Sequence, residues 1–282
     1  MSVDDAFAYC ERMAREHYEN FPVGSLLVPK HLRKHVHSIY AFSRIADDIA
    51  DEGDMSPDER IVLLDDWERQ LHDTFNGHAE HPVFIALGAT VRDCGIPISP
   101  LRDLLRAFRM DARNEGFEEL SDLLFYCFHS ANPIGRLVLH LFGLYNEERK
   151  VLSDKICTAL QITNFLQDLS IDPARGRINI PRNSFEYFEY SEAELHERVF
   201  NRSFREMIAY HVDHATNLYQ HGYPLLREIP QRRLRSELGL TFLGGVRILH
   251  RIKALDYNVL DTRPTLGLRD KLWIMAKLTT VG

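Results

Sequence analysis

The chain of 282 residues holds only four cysteines, Cys10, Cys94, Cys127 and Cys157, and no two of them form a CxxC pair. That scarcity argues against a thiolate zinc site or a disulfide framework and fits a reducing compartment. Long apolar runs are missing as well. No uninterrupted stretch approaches the ~18 residues that a membrane span needs, and the richest, Leu137 to Tyr145, is broken by His140. The first residues, Met-Ser-Val-Asp-Asp, lack the basic and apolar regions of a secretion signal. The expected location is therefore cytoplasmic, with room for peripheral contact with a membrane. Positive charge is not in excess: 34 Lys and Arg stand against 41 Asp and Glu, for a net charge of −7. Nucleic acid is accordingly not an expected partner. The densest basic cluster, Gln231 to Arg235, reads as a solvated helix end. No segment reads as a basic, strongly amphipathic helix of the kind that makes a lipid-surface protein.

β-structure is also nearly unsignalled. Apolar/polar alternation never persists, and the one β-like stretch, Arg177 to Pro181, is short and ends in proline. What is present is helical punctuation. Ser56-Pro57 and Ser99-Pro100 each place an N-cap before a proline, and Ser191 with Glu194 forms a capping box. The 3.6-residue period predicts helices at about 3–19, 31–52, 57–76, 81–93, 99–113, 119–131, 133–145, 147–170, 191–200, 203–221, 231–257 and 267–278. With no repeat and no Gly/Ser linker, the expectation is one all-α domain spanning 1–282, a helical bundle around a central cavity.

Two of these segments carry acids that a core would not choose. Val36 to Asp51 reads VHSIYAFSRIADDIAD. Tyr40, Arg44, Asp47, Asp48 and Asp51 share one stripe of this helix, whereas Val36, Ile39, Phe42, Ile45, Ala46 and Ile49 are apolar. Three carboxylates within about one turn repel one another, and a divalent cation with a preference for hard oxygen ligands, such as Mg²⁺, relieves that repulsion. Taken alone, the segment also reads as a solvated face near a helix end, since Glu52 and Asp54 follow. Ala159 to Asp172 reads ALQITNFLQDLSID. It sets Asn164, Asp168 and Asp172 at i, i+4 and i+8, a ladder of oxygen donors about 12 Å long. It too reads alone as a polar stripe. Two such ladders on mostly apolar helices fit a facing pair that clamps a diphosphate through shared Mg²⁺.

At these residues the chain resembles the squalene/phytoene synthase family of head-to-head isoprenoid synthases. YAFSRIADDIAD (Tyr40 to Asp51) matches the first aspartate motif, NFLQDLSIDPARGR (Asn164 to Arg177) the second, and YCFHSANPIGRLVL (Tyr126 to Leu139) the tyrosine-bearing middle helix. The likeness spans roughly residues 8–255. NFPVGSLLVP (Asn20 to Pro29), SANPIGRLVL and LTFLGGVRILHRI (Leu240 to Ile252) resemble the bacterial hydroxysqualene synthases of the hopanoid pathway. The chain departs from the family at Asn179, where relatives commonly carry tyrosine.

The resemblance implies an all-α, Mg²⁺-dependent enzyme that needs no NADPH. It would convert presqualene diphosphate and water to hydroxysqualene and diphosphate. Asp47 and Asp51 are then metal ligands from one helix, and Asn164, Asp168 and Asp172 from the other, with Asp48 supporting them. Arg44 and Arg177 contact phosphate, Tyr40, Phe21 and Gln167 bind substrate, and Tyr126 stands among the catalytic residues. Phe21, Tyr40 and Tyr126 also read as plain cavity lining. The implied protein partner is the presqualene diphosphate synthase of the same pathway. Alternatives within the family are presqualene diphosphate, dehydrosqualene and phytoene synthases, and a non-catalytic assembly factor. Outside it, the pairs His31/His35 and His211/His214 have zinc-compatible spacing, but no third ligand accompanies either, and satisfied core or surface histidines are the expectation.

Overall fold

The computed structural model describes residues 1–16, 28–171 and 177–278. Among them there is no strand, and the helices are α1 (Val3–Glu16), α2 (Lys30–Asp51), α3 (Pro57–Phe75), α4 (Pro82–Cys94), α5 (Ser99–Ala112), α6 (Leu120–Ser130), α7 (Asn132–Leu141), α8 (Glu147–Gln167), α9 (Arg182–Tyr187), α10 (Glu192–His196), α11 (Arg202–Gly222), α12 (Pro224–Glu228), α13 (Arg232–Ala254) and α14 (Leu268–Leu278). The fold is all-α, as the periodicity requires. None of the helices is long and apolar enough to cross a membrane. The four cysteines carry free thiols.

Local chemistry explains most of the helix starts. Ser56 and Glu59 form a reciprocal capping box ahead of α3, with Pro57 in the first position. Ser191 and Glu194 do the same for α10. Ser99 differs from expectation. It is already inside α5, Ile98 takes the N-cap position, and no side chain caps that end. The helix expected over 191–200 stops at His196, because the backbone turns left-handed at Arg198 (φ 56°). Two short helices, α9 and α12, were not expected from the pattern; with six and five residues they are too brief to show a period.

The chain divides into two compact units, Met1–Glu115 with Pro133–Asn146, and Gly116–Asn132 with Glu147–Gly282. In the first, α2 packs against α1, α3, α4 and α5. Ile39, Phe42, Ala46 and Ala50 form its inner stripe. Phe42 stacks on Trp67 at 6.1 Å and meets Phe84 edge-on at 6.0 Å, and the Trp67 indole donates to the Phe42 carbonyl. Because that stripe fills the core side, the helical period turns Arg44, Asp47, Asp48 and Asp51 to the opposite side.

In the second unit α8 is the hub, packed against α6, α11, α12 and α13. Tyr219 of α11 is fully buried, its ring edge-on to Phe242 of α13 and its hydroxyl 3.3 Å from Thr163 of α8. The histidine pairs behave as core and surface groups. His35 meets the Thr90 hydroxyl at 2.9 Å, and His211 the Ser184 hydroxyl at 3.0 Å. Burial, with a smaller push from His214, lowers the His211 pKa to about 4. In the unfolded chain the imidazole protonates near 6.5, so between those values the unfolded state binds the extra proton. Stability contributed by neutral His211 is therefore complete above pH 6.5 and declines as the pH falls toward 4, by about 3 kcal/mol. Urea unfolding at pH 7 and pH 4 reads this directly: His211→Gln should show a visibly shallower loss between the two.

Candidate active site

The first acidic ladder sits at the carboxyl end of α2, and that end is held by a side chain that motif reading passes over. Arg60 of α3 is buried and donates to four carbonyls, those of Ile49 (2.8 Å), Glu52 (3.1 Å), Gly53 (2.7 Å) and Met55 (3.1 Å). Carbonyls at a helix end have no partner within the helix, and a buried guanidinium with several donors satisfies them and fixes the turn. Gly53 takes φ 77° there, a left-handed conformation that favours glycine.

On this anchored turn the acids are arranged around Arg44. Its guanidinium pairs with Asp48, lies 3.5 Å from Asp47 and donates to Glu52 at 2.6 Å. Burial works to lower the Arg44 pKa, but Asp48, Asp47 and Glu52 together outweigh it and hold the pKa above its ordinary value. Asp47 keeps 44% of its side chain accessible, and Asp51, one turn on, is exposed. Asp48 is thus the acid most engaged by arginine, and Asp47 and Asp51 are the pair that presents oxygens outward on one face. Tyr40 lies half-buried one turn before Arg44 on the same stripe.

Of the second ladder, Asn164 lies in the last turn of α8 and Asp168 directly after it. Asn164 is exposed and Asp168 half-buried just beyond the last helical residue. Asp168 pairs with Arg263, a residue 95 positions away that no motif signalled. Next to it the buried Gln167 donates through Nε2 to the Pro264 carbonyl at 2.6 Å. One short segment, Arg263-Pro264, therefore grips Gln167 at the end of α8 and the ladder residue Asp168 that follows it. Arg198 adds a bond to the Ser170 carbonyl at 3.2 Å. Tyr126 of α6 is buried in an aromatic trio, 5.5 Å from Phe117 and 5.9 Å from Phe165. Arg177 and Asn179 are half-buried. Asp172 and Phe21 lie outside the described residues.

All the donors named for a cation are oxygen atoms, the set that suits Mg²⁺ rather than a soft metal. Asp47 and Asp51 meet the requirement of two accessible carboxylates one turn apart. Among the described residues no three Asp, Glu, His or Cys side chains stand together as a ready-made metal cluster.

The described residues form an all-α fold, and comparison with solved structures places it in the class of helical isoprenoid synthases. A squalene synthase HpnC from Alicyclobacillus acidocaldarius superposes with a TM-score of 0.86 at 42% identity, covering 91% of this chain and 96% of that one. A dehydrosqualene synthase in complex with ligand superposes with a TM-score of 0.83 at 26% identity, covering 99% of this chain and 96% of that one. The family model for squalene/phytoene synthase matches residues 14–270. A hydroxysqualene synthase of Sinorhizobium fredii is 31% identical over 87% of this chain and 82% of its own length. A phytoene synthase of Arthrospira platensis is 28% identical over 92% of this chain and 87% of its own length. The chain belongs to the squalene/phytoene synthase family, a family of isoprenoid synthases.

Proposed function

We propose that this protein is a hydroxysqualene synthase, with residues 1–282 acting as one catalytic domain on presqualene diphosphate. The observation that carries the reading is the accessible oxygens of Asp47, Asp51 and Asn164 beside helix ends braced by Arg60 and by Arg263-Pro264, together with likeness to a hydroxysqualene synthase and to HpnC. Asp47 and Asp51, with Asn164, Asp168 and Asp172, are the residues that would hold Mg²⁺. Bound there, the metal supplies Lewis-acid neutralisation of the charge that develops on the leaving diphosphate.

Ionisation breaks the C–O bond, and the electron pair leaves with the diphosphate. Neutralising that charge is the main electrostatic demand in a pocket that holds hydrocarbon and excludes water. Arg44 and Arg177 serve it with guanidinium contacts to phosphate oxygens. For Arg44 this means exchanging one carboxylate of its cluster for a phosphate. Gln167 and Asp48 act by orientation, Gln167 through its bond to Pro264. The cyclopropylcarbinyl cation that remains opens to an allylic one, and a water oxygen forms the new C–O bond and releases its proton. Faces of Tyr40, Phe21 and Tyr126 are suited to the passing positive charge. No hydride is consumed, so NADPH has no place in the balance. Association with the companion presqualene diphosphate synthase belongs to the same proposal.

Product analysis by mass spectrometry tests it. With presqualene diphosphate and Mg²⁺, the purified protein should release diphosphate and form hydroxysqualene at the same rate with or without NADPH. Squalene formed only with NADPH overturns the water-capture step. Condensation of two C15 or C20 diphosphates as the sole activity moves the protein to the presqualene, dehydrosqualene or phytoene branch.

A further inference from the structure

α14 is amphipathic in an inverted sense. Its inner side is fixed to α13 by Asp270, which is fully buried and accepts from Arg247 at 2.5 Å, from Arg251 at 2.5 and 2.9 Å, and from the Gly267 amide at 2.9 Å. Ile274 is buried one turn on, and the Trp273 ring carries the Arg247 guanidinium 5.2 Å from its centre. With that side pinned, the helical period sends Leu268, Leu272 and Met275 outward, where they are 75%, 63% and 57% exposed. A helix bathed only by water presents charge at its outward pole. Here the pole is apolar; Arg269 and Lys271 are exposed on its two shoulders, and Lys277 is exposed in the last turn.

Sign matters as much as position. The only acid of α14 is Asp270, which is buried beneath two partly exposed arginines of α13 that neutralise it. The charge α14 shows to solvent is therefore entirely basic, on a chain whose net charge is −7. This is why the segment does not read as a basic amphipathic helix in sequence: Asp270 counts there as a surface charge, and only its burial removes it.

We propose that the outward face of α14 is a docking surface for an anionic lipid bilayer. Leu268, Leu272 and Met275 would enter the boundary between headgroups and acyl chains, and Arg269 and Lys271 would meet lipid phosphates on either side. The eleven-residue helix lies on the surface and does not span it. A second copy of this chain is a poorer occupant, because a twofold contact on this face brings the basic shoulders of both copies together. The inference stands whatever the reaction, although a C30 substrate and product would be drawn from and returned to such a surface.

Co-sedimentation of the full chain with vesicles tests it, using phosphatidylcholine alone and phosphatidylcholine mixed with phosphatidylglycerol. The chain should partition onto the mixed vesicles, more weakly onto the neutral ones, and less at high salt. Leu272→Ser with Met275→Ser should lower partitioning about tenfold or more on the mixed vesicles. Arg269→Gln with Lys271→Gln should lower it by about fivefold per cation on the mixed vesicles and leave binding to neutral ones unchanged. All four side chains are exposed, and an unaltered thermal melt for each variant keeps the comparison clean. Equal partitioning of the wild type and both variants overturns the assignment, as does no partitioning of the wild type. Loss of concentration-dependent self-association in the apolar variant, with vesicle binding unchanged, would instead give this face to a second copy.

Discussion

Asp47→Ala and Asp168→Ala should each lower kcat on presqualene diphosphate by about a thousandfold or more, with the helix content unchanged. The two substitutions remove one oxygen donor from each ladder, so each acts on charge neutralisation in the transition state rather than on folding. Asp47 has 44% of its side chain accessible and stands in a cluster of like charges, so its loss relieves repulsion on α2. Asp168 gives up its pairing with Arg263, a partly accessible ion pair worth about 1 kcal/mol or less. The Mg²⁺ concentration for half-maximal activity should rise in both, whereas a purely structural role would leave it alone. Activity near the wild-type level in both variants would remove the metal-binding assignment, and the proposed function with it. Far-ultraviolet circular dichroism and initial rates across a Mg²⁺ series are sufficient measurements.

Gly245→Ala should be the most destabilising small substitution in the second unit. A Cβ at Gly245 would lie 1.9 Å from the Tyr219 hydroxyl oxygen, 2.7 Å from its ring carbon Cζ and 3.0 Å from Leu160. Alanine favours a helix over glycine by about 1 kcal/mol, which sets the opposing term. The clash outweighs it because Tyr219 is fully buried, edge-on to Phe242 and next to Thr163, with no free direction of retreat. Overpacking of this kind costs about 3 kcal/mol, which leaves about 2 kcal/mol net, so for a chain of this size the melting temperature should fall by roughly 4 °C. Tyr219→Phe, which deletes the nearest clashing atom, should restore part of the loss when combined with Gly245→Ala. Such non-additivity is the mark of a shared contact. A melting temperature unchanged by Gly245→Ala would show that the ring is not held as described. The effect should extend to turnover, because Thr163 adjoins Asn164 of the second ladder.

The expected helices with a clear period are all present, and α2 and α8 kept their stripes for a simple reason. Apolar residues recurring every three or four positions leave the interleaved positions on the other side, and Asp47, Asp48 and Asp51 of α2 and Asn164 of α8 occupy those positions. The N-cap role expected for Ser99 failed although the helix starts there, and α9 and α12 were missed because they are too short to have a period. The supports of the ladders were not legible at all. Arg60 reads as an ordinary surface arginine of an amphipathic α3 until its guanidinium is seen on the carbonyls that end α2. Arg263 reads as a loop residue until it meets Asp168.

The amino-acid order by itself determined that the chain is helical, which faces are apolar, and which acids stand together on a helix, because each of these depends on neighbours within a few residues. The path of the chain decided the rest: that Arg60 closes α2, that Arg263 and Pro264 grip the end of α8, and that Asp270 is an interior ion instead of a surface charge. Those outcomes join residues as many as 97 positions apart. No short-range pattern encodes such pairings, since they are fixed only when packing brings distant segments together and makes an unpaired buried charge too costly to leave.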